Sequence, residues 1–314
     1  MKPTVKYRLT LLLLLAFCTT SRAESRLMIV SIDGLRPDLA LRADMPNLRS
    51  LLKDGSYSFW ARTTPVAVTL PSHTSMLTGV VVERHGIKGN DDNAAANEKI
   101  LVPTIFDLAH KAGISTGMAA GKSKFTVYDN GSIDHSWAKS GTSDTVAGQA
   151  VNILRQFKPR LMLVHFPEVD GSGHSKGWGT RDQIDAIERT DKALGMVLAE
   201  LEQQGLRKDT TIILSADHGG SGKTHGKDDD RSAFIPWIIN GPDVLKGIDL
   251  TQFRELKIAT YDTFATACKV LDLPIPEGID GKPIVQAFES TDLMNTPTTK
   301  PAATQPVSAT DNRP

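Results

Sequence analysis

The stretch Thr211 to Gly226 reads Thr-Ile-Ile-Leu-Ser-Ala-Asp-His-Gly-Gly-Ser-Gly-Lys-Thr-His-Gly. Its apolar, β-branched start, Thr211 to Leu214, predicts a buried strand. The strand leads into Asp217 and His218, and a glycine-rich loop then reaches His225. Open α/β sheets place their chemistry at the carboxyl ends of strands, so these three side chains indicate a functional site there.

Strand-like and helical patterns alternate along the rest of the chain. The strands that we expect besides Thr211–Leu214 are Arg26–Ile32, Tyr57–Arg62, Ser115–Ala119, Leu161–Phe166 and Phe234–Ile239. The expected helices are Pro46–Lys53, Ser72–Leu77, Pro103–Ala112, Asp144–Phe157, Thr180–Gln204 and Tyr261–Leu271. This alternation predicts an α/β fold with a mostly parallel central sheet, helices on both faces, and a metal site at the carboxyl ends of the strands.

Residues 1–23 have the layout of a secretory signal peptide. Three basic residues precede the apolar run Leu9–Phe17, and Ser21-Arg22-Ala23 supplies small residues for cleavage. The run is too short to span a bilayer, although an uncleaved anchor is the competing interpretation. We therefore expect an exported protein, periplasmic or secreted, that is cleaved after about Ala23 and has no membrane attachment afterwards.

The chain that follows this segment is nearly balanced in charge. Residues 1–23 carry four basic side chains and no acidic ones, which leaves 32 basic and 36 acidic residues and a net charge of −4. This balance indicates neither a nucleic-acid groove nor a membrane-binding face. Cys268 is the only cysteine after Ala23, so it has no partner for an intrachain disulfide. The composition leaves the oligomeric state open.

We expect a single catalytic domain over residues 24–289. From about Ser290 the sequence is rich in Thr, Pro, Ala and Asn and poor in apolar residues. This composition predicts a disordered tail over residues 290–314.

Two further predicted strands end in potential metal ligands. Asp33 follows the first strand, and Asp170 and His174 follow Leu161–Phe166, where two intervening glycines predict a tight loop. An aspartate at a strand end is typical of a helix cap, and a lone histidine is typical of a hydrogen-bonded core or loop residue. Three such groups at three strand ends indicate instead six ligands, three for each of two metal ions. Aspartate and histidine suit zinc, and no cysteine competes with them.

Thr69 is a candidate nucleophile. It precedes Leu70-Pro71 and a predicted helix start, where unpaired amide groups and the helix dipole attract anions. Taken alone, a threonine in this place is typical of a turn or cap residue.

Together these residues resemble the alkaline phosphatase superfamily, most closely its type I phosphodiesterase/nucleotide pyrophosphatase family. The motifs that carry the resemblance are Val30-Ser31-Ile32-Asp33-Gly34, Met45-Pro46-Asn47-Leu48, Thr69-Leu70-Pro71-Ser72, His85-Gly86-Ile87, Pro167-Glu168-Val169-Asp170 with Gly173-His174, Asp217-His218-Gly219, Leu273-Pro274-Ile275-Pro276 and Asp280-Gly281. They cover most of the chain after residue 23. The resemblance implies an exported phosphohydrolase that acts on a small-molecule phosphate ester or phosphoanhydride.

The resemblance also implies a role for each site residue. Two groups of side chains hold one zinc ion each: Asp170, His174 and His225 hold the first, and Asp33, Asp217 and His218 hold the second. Thr69 completes the coordination shell of the zinc ion that Asp33, Asp217 and His218 hold. It also acts as the nucleophile and forms a covalent phosphothreonine that water hydrolyses. Asn90 binds a non-bridging phosphoryl oxygen, or is a turn residue after Gly89. Manganese or another divalent metal is an alternative to zinc.

Two positions depart from the patterns of related enzymes. Close relatives commonly have Asn where this chain has Ser72. Sulfatases have Arg at the place of His73 and need Cys or Ser at the place of Thr69, so a sulfatase is a less favoured alternative. A phosphomonoesterase or phosphonate hydrolase on the same scaffold, and a non-catalytic metal- or ligand-binding protein, also stay open. The stretch Gly121–Trp137, rich in polar and aromatic residues, is our candidate for a substrate-facing insert.

Overall fold

The computed structural model describes residues 24–226 and 229–288. The predicted signal peptide at residues 1–23, the last position of the predicted catalytic domain and the predicted tail at residues 290–314 lie outside this part of the chain.

The described residues form eight strands and eleven α-helices. The strands are β1 (Arg26–Ile32), β2 (Gly55–Arg62), β3 (Thr116–Ala120), β4 (His135–Ala138), β5 (Leu161–Phe166), β6 (Thr210–Ser215), β7 (Phe234–Asn240) and β8 (Ile248–Asp249). The helices are α1 (Pro37–Arg42), α2 (Pro46–Lys53), α3 (Thr69–Thr78), α4 (Val82–His85), α5 (Asp92–Asn97), α6 (Ile105–Lys111), α7 (Ser143–Phe157), α8 (Glu168–Lys176), α9 (Arg181–Gln203), α10 (Asp230–Ala233) and α11 (Asp262–Leu271). Short 3-10 helices cover Ser123–Tyr128, Arg207–Asp209, Leu250–Gln252 and Val285–Ala287.

All eight strands belong to one sheet, in the order β4-β3-β5-β1-β6-β7-β2-β8. The strands from β4 to β6 are parallel, whereas β7 runs antiparallel to both of its neighbours. The predicted α/β fold with a mostly parallel sheet is therefore confirmed. Every side chain of β5 and β6 is buried, as expected for strands that are covered on both faces.

Two groups of helices provide this cover. In one group α9 contacts α2, α7 and α8, and in the other α3, α6 and α11 contact one another. The long helix α9 begins after Thr180, whose hydroxyl accepts a hydrogen bond from the backbone N–H of Gln183, as an N-cap does. The predicted bounds of this helix differ from the observed ones by one residue at each end.

Helix α3 begins three residues earlier than predicted, at Thr69. All ten of its residues are buried, from Thr69 to Thr78, and it ends at Gly79 in the left-handed conformation. The earlier start matters for the site because it makes Thr69 the first helical residue, at the end of the helix where backbone N–H groups have no partner within the helix.

The stretch Gly121–Trp137, our candidate for a substrate-facing insert, holds a 3-10 helix, Ser123–Tyr128, and most of the edge strand β4. Its aromatic side chains Phe125 and Tyr128 are fully buried and pack the domain interior. Lys122 of the same stretch contacts Asp33 and Asp170, and a contact with substrate stays a prediction. Among the described helices, none has the length and apolar character needed to cross a membrane.

Candidate active site

The site lies at the carboxyl ends of β5, β1 and β6, which are neighbours in the sheet. Asp33 follows β1 directly, Asp217 comes two residues after β6, and Asp170 lies in the first turn of α8 after β5. Adjacent strands are separated by only about 4.8 Å, so three carboxylates carried by three adjacent strand ends converge. The sequence predicted these three carboxylates at this edge of the sheet, and their role as metal ligands stays a prediction.

A first cluster contains Asp33, Asp217 and His218, all fully buried. His218 Nε2 lies 3.3 Å from Asp217 Oδ2 and 3.5 Å from Asp33 Oδ1. None of these three atoms has a hydrogen-bond partner among the described residues. Buried polar atoms are normally paired, and carboxylate oxygens that converge on an imidazole nitrogen repel one another unless a cation lies between them. The cluster therefore fits a divalent metal ion bound by two carboxylates and one imidazole.

A second cluster contains Asp170, His174 and His225. Asp170 Oδ1 is 3.3 Å from His174 Nε2 and 3.6 Å from His225 Nε2, and the two imidazole nitrogens are 3.0 Å apart. The other ring nitrogen of each histidine contacts a backbone carbonyl oxygen, Lys223 O for His174 and Ala67 O for His225. Such contacts orient an imidazole so that its second nitrogen is available to a metal.

The segment that carries Asp170 and His174 is not the tight loop that we predicted. It is the helix α8, and the two residues lie four positions apart on one helical face. One of the two glycines is required by packing, because a Cβ atom on Gly173 would be 2.7 Å from the ring of Trp178, whereas a Cβ atom on Gly171 would meet no atom within 4 Å. The predicted proximity of the two side chains is thus achieved by helical spacing.

His218 lies between the two clusters. Its ring stacks on that of His225, with centroids 3.7 Å apart and planes at 15°. Ligand atoms of Asp170, His218 and His225 also lie within 4.8 Å of one another, so the geometry allows His218 to join either cluster. The predicted division of the six residues into two sets of three stays a prediction.

Thr69 lies beside both clusters at the N-terminus of α3 and is 1% exposed. Asn90 is close to it, because Asn90 Oδ1 accepts a hydrogen bond of 2.9 Å from the backbone N–H of Leu70. The side chain of Asn90 thus fixes the first turn of α3 next to the candidate nucleophile. Its predicted contact with a phosphoryl oxygen stays a prediction.

Lys122 is a central residue of the site; it belongs to the stretch Gly121–Trp137 that we expected to face the substrate, but the sequence pattern assigned it no role of its own. Its Nζ lies 2.6 Å from Asp33 Oδ2, 2.7 Å from Asp170 Oδ2 and 3.2 Å from Thr69 Oγ1. It therefore connects one carboxylate of each cluster with the hydroxyl of Thr69. The missed signal is its position just after β3, at the same edge of the sheet as the other site residues.

The charges of this group shift its pKa values strongly. Burial alone would raise the pKa of Asp33, but the charge of Lys122 and the hydrogen bond from His165 outweigh burial and hold that pKa well below its ordinary range. The pKa of Asp170 falls to about 2: burial and Asp33 act to raise it, and Lys122 and His174 outweigh them. Burial and the charge of Asp33 raise the pKa of Asp217. The site thus keeps two carboxylates ionised with the help of one buried lysine.

A layer of buried polar side chains lies under the clusters. His73 contacts Ser31 Oγ at 2.7 Å through Nε2 and the backbone oxygen of Thr69 at 2.8 Å through Nδ1. The hydroxyl of Ser72 donates to the backbone oxygen of Asp217 at 2.7 Å. The two residues that depart from the patterns of related enzymes therefore help to join α3 to the sheet.

Gly34 makes the closest approach between the strand ends. It adopts a φ of +75°, and a Cβ atom there would be 3.0 Å from the Cα of Asp170. Its N–H donates to Asp217 Oδ1 at 3.1 Å. Only glycine combines this backbone conformation with such close packing, which lets Asp33 lie next to Asp170.

The fold is similar to those of solved members of the alkaline phosphatase superfamily. Murine ectonucleotide pyrophosphatase/phosphodiesterase 5, an inactive variant in complex with AMP, has a TM-score of 0.66 and 16% identity, covering 81% of this chain and 96% of that chain. A 2-O GAG sulfatase has a TM-score of 0.67 and 14% identity, covering 84% of this chain and 74% of that chain. Similarity at such low identity defines the class of fold, which is alkaline phosphatase-like.

Sequence comparison defines the family. The profile of type I phosphodiesterase/nucleotide pyrophosphatase matches residues 27–230. The chain belongs to this family, as the motifs predicted. It is 25% identical over 222 residues to bis(5'-adenosyl)-triphosphatase enpp4 of Xenopus laevis, covering 64% of this chain and 48% of that protein. It is 26% identical over 225 residues to venom phosphodiesterase of Macrovipera lebetinus, covering 65% of this chain and 26% of that protein. The chain thus spans about half the length, or less, of these curated relatives.

Proposed function

We propose that this protein is an exported two-metal phosphohydrolase that cleaves phosphodiester or pyrophosphate bonds through Thr69. The observation that carries the proposal is the position of the Thr69 hydroxyl, 3.2 Å from Lys122 Nζ, which also contacts Asp33 of one cluster and Asp170 of the other. Membership of the family supports the reaction class. The names of the relatives, a bis(5'-adenosyl)-triphosphatase and a venom phosphodiesterase, point to phosphoanhydrides and phosphodiesters as substrates.

Two divalent ions, zinc in the first instance, fit the donor atoms. In this proposal Asp170, His174 and His225 hold one ion, and Asp33, Asp217 and His218 hold the other, with Thr69 beside it. When bound, such ions supply Lewis acidity and lower the pKa of a coordinated hydroxyl. Aspartate and histidine ligands also accept manganese, so the metal identity is part of the test.

The residues of the chain supply the remaining chemistry. Thr69 Oγ gives up its proton to solvent and attacks phosphorus, and the bond from phosphorus to the leaving oxygen breaks as the new bond forms; the leaving oxygen takes up a proton. The product is a phosphothreonine that keeps any second ester group of the substrate. Water then attacks the same phosphorus atom and loses a proton, and the Thr69 oxygen leaves and is protonated again. The side chain of Asn90, which bonds the first turn of α3, and the ammonium group of Lys122 lie near Thr69 and would interact with the phosphoryl oxygens.

The charge balance favours a diester over a monoester. Three carboxylates, two divalent ions and Lys122 leave a formal charge of plus two in the site. The alkoxide of Thr69 and the single negative charge of a phosphodiester bring the total to zero. A phosphomonoester dianion would leave an uncompensated negative charge, which is costly in a buried site.

The test is the hydrolysis of an aryl phosphodiester by purified protein with added zinc. We expect the variant Thr69→Ala to lose at least about a hundredfold in turnover, since covalent catalysis needs its nucleophile. Thr69→Ser keeps the hydroxyl and serves as the matched control, with substantial residual activity. Undiminished turnover by Thr69→Ala would refute the role of Thr69, and a faster reaction with the matched monoester would refute the preference for diesters.

Export and domain organisation are also parts of the proposal. Residues 1–23 act as a cleaved signal peptide, and the catalytic domain begins after them and extends to residue 289. Expression of the full chain in a bacterial host and N-terminal sequencing of the exported product test this. We expect the mature protein to begin close to Glu24, whereas full-length protein retained in the cell would contradict export.

A further inference from the structure

His165 is a buried histidine that has no part in the mechanism above. It lies on β5 and is fully buried. Its Nε2 is 2.9 Å from Asp33 Oδ2, and its Nδ1 has no hydrogen-bond partner among the described residues. An ionised carboxylate only accepts hydrogen bonds, so Nε2 carries the hydrogen and donates it to Asp33.

This hydrogen bond makes the two oxygens of Asp33 different from each other. Oδ2 receives His165 Nε2 at 2.9 Å and Lys122 Nζ at 2.6 Å. Oδ1 has no partner in the described part of the chain and lies 3.5 Å from His218 Nε2. Because both donors contact Oδ2, Oδ1 stays available to a metal ion in the cluster of Asp33, Asp217 and His218.

The position of His165 is itself fixed by its neighbours. Its ring packs on Phe125, with centroids 4.1 Å apart, and lies edge-on to His73 at 5.0 Å. In the parallel pairing of β1 with β5, His165 is opposite Ser31, whose hydroxyl contacts His73. These contacts fix the imidazole of His165 between the sheet and α3, where its Nε2 donates a hydrogen bond to the carboxylate of Asp33.

We propose that His165 is a positioning residue that holds Asp33 in the orientation needed for metal binding. The inference rests on the proposed two-metal function. Histidine side chains that fix a carboxylate ligand typically contribute about 10- to 100-fold to metal affinity. A residue that only fills the core would affect folding without changing the affinity of one metal site.

Zinc titration of the metal-free protein against a chelating dye tests the proposal, with the melting temperature of each variant measured in parallel. We expect His165→Phe, which keeps a ring but has no donor, to weaken one of the two zinc sites by about 10- to 100-fold. The other site should keep its affinity. His165→Gln places an amide N–H near the same point, and we expect it to stay within about threefold of the wild type. The control Phe125→Leu removes the ring that packs on His165 but leaves the hydrogen-bond donor in place, so its loss of zinc affinity should be smaller than that of His165→Phe.

Two outcomes would overturn the role of His165. One is a folded His165→Phe protein that binds two zinc ions with wild-type affinities. The other is an equal loss of affinity in Phe125→Leu, which would assign the effect to packing. If His165→Phe does not fold, His165→Leu takes its place in the same comparison. The wild-type titration is read separately: fewer than two zinc ions in the wild type would refute the two-metal function and, with it, the site that His165 serves.

Discussion

Replacement of Lys122 by Met would test the electrostatic design of the site. The ammonium group of Lys122 lies 2.6 Å from Asp33 and 2.7 Å from Asp170, and its side chain is 19% exposed. Methionine keeps most of the length of the side chain and removes only the charge and the hydrogen-bond donors. The two carboxylates would then share a buried site without their nearest cation.

The expected loss follows from the burial of these partners. Removing one member of a buried ion pair typically costs about 3–5 kcal/mol, because the remaining charge is left uncompensated. For a domain of this size each kcal/mol corresponds to about 2–4 °C, so the zinc-free variant should melt roughly 6–20 °C below the wild type. Zinc supplies positive charge to the same carboxylates, so we expect saturating zinc to restore part of the difference.

The assay is thermal unfolding of both proteins after chelation and again with saturating zinc. Lys208→Met is the matched control, because Lys208 pairs with Asp209 at the surface and its side chain is 75% exposed. We expect this variant to keep nearly the wild-type melting temperature. Equal melting temperatures for wild type and Lys122→Met in the absence of zinc would show that Lys122 is not the countercharge of these carboxylates. A difference that zinc does not reduce would contradict the placement of metal ions at Asp33 and Asp170.

Two further predictions concern the scaffold and the metal sites. Asp191 accepts hydrogen bonds from the first backbone N–H groups of α2, at 2.8 and 3.0 Å. We therefore expect Asp191→Ala to lower the free energy of unfolding, measured by urea titration, by about 2 kcal/mol. An unchanged urea midpoint would show that Asp191 does not stabilise the start of α2. The side chain of His174 is 45% exposed, so His174→Ala should fold normally and reduce the zinc content from about two ions per chain to about one. Full zinc content in that variant, measured by atomic emission, would remove His174 from the ligand set.

The sequence predicted the elements whose signals are local. The β-branched run at Thr211–Leu214 became the core of β6, and Asp33, Asp170 and Asp217 came together because neighbouring parallel strands bring their carboxyl ends to one edge. Composition and periodicity are sufficient for such features, since a buried parallel strand must be apolar along its whole length.

The features that the sequence did not predict depend on long-range contacts. The glycines of α8 have low helix propensity and indicated a loop, but the segment is helical, and Gly173 packs against Trp178. Lys122 and Lys124 read as ordinary charged residues in Gly-Lys-Ser-Lys. Only the sheet order, with β3 next to β5, brings Lys122 to the site.

Chemical trapping of the intermediate tests the central claim most directly. Zinc-loaded protein is mixed with an aryl phosphodiester, quenched in acid during the first turnovers, digested and examined by tandem mass spectrometry. We predict a phosphoryl adduct, still carrying the remaining ester group, on the side chain of Thr69, and no adduct in Thr69→Ala. An adduct on a different residue, or hydrolysis at the wild-type rate by Thr69→Ala with no adduct anywhere, would contradict the proposed mechanism.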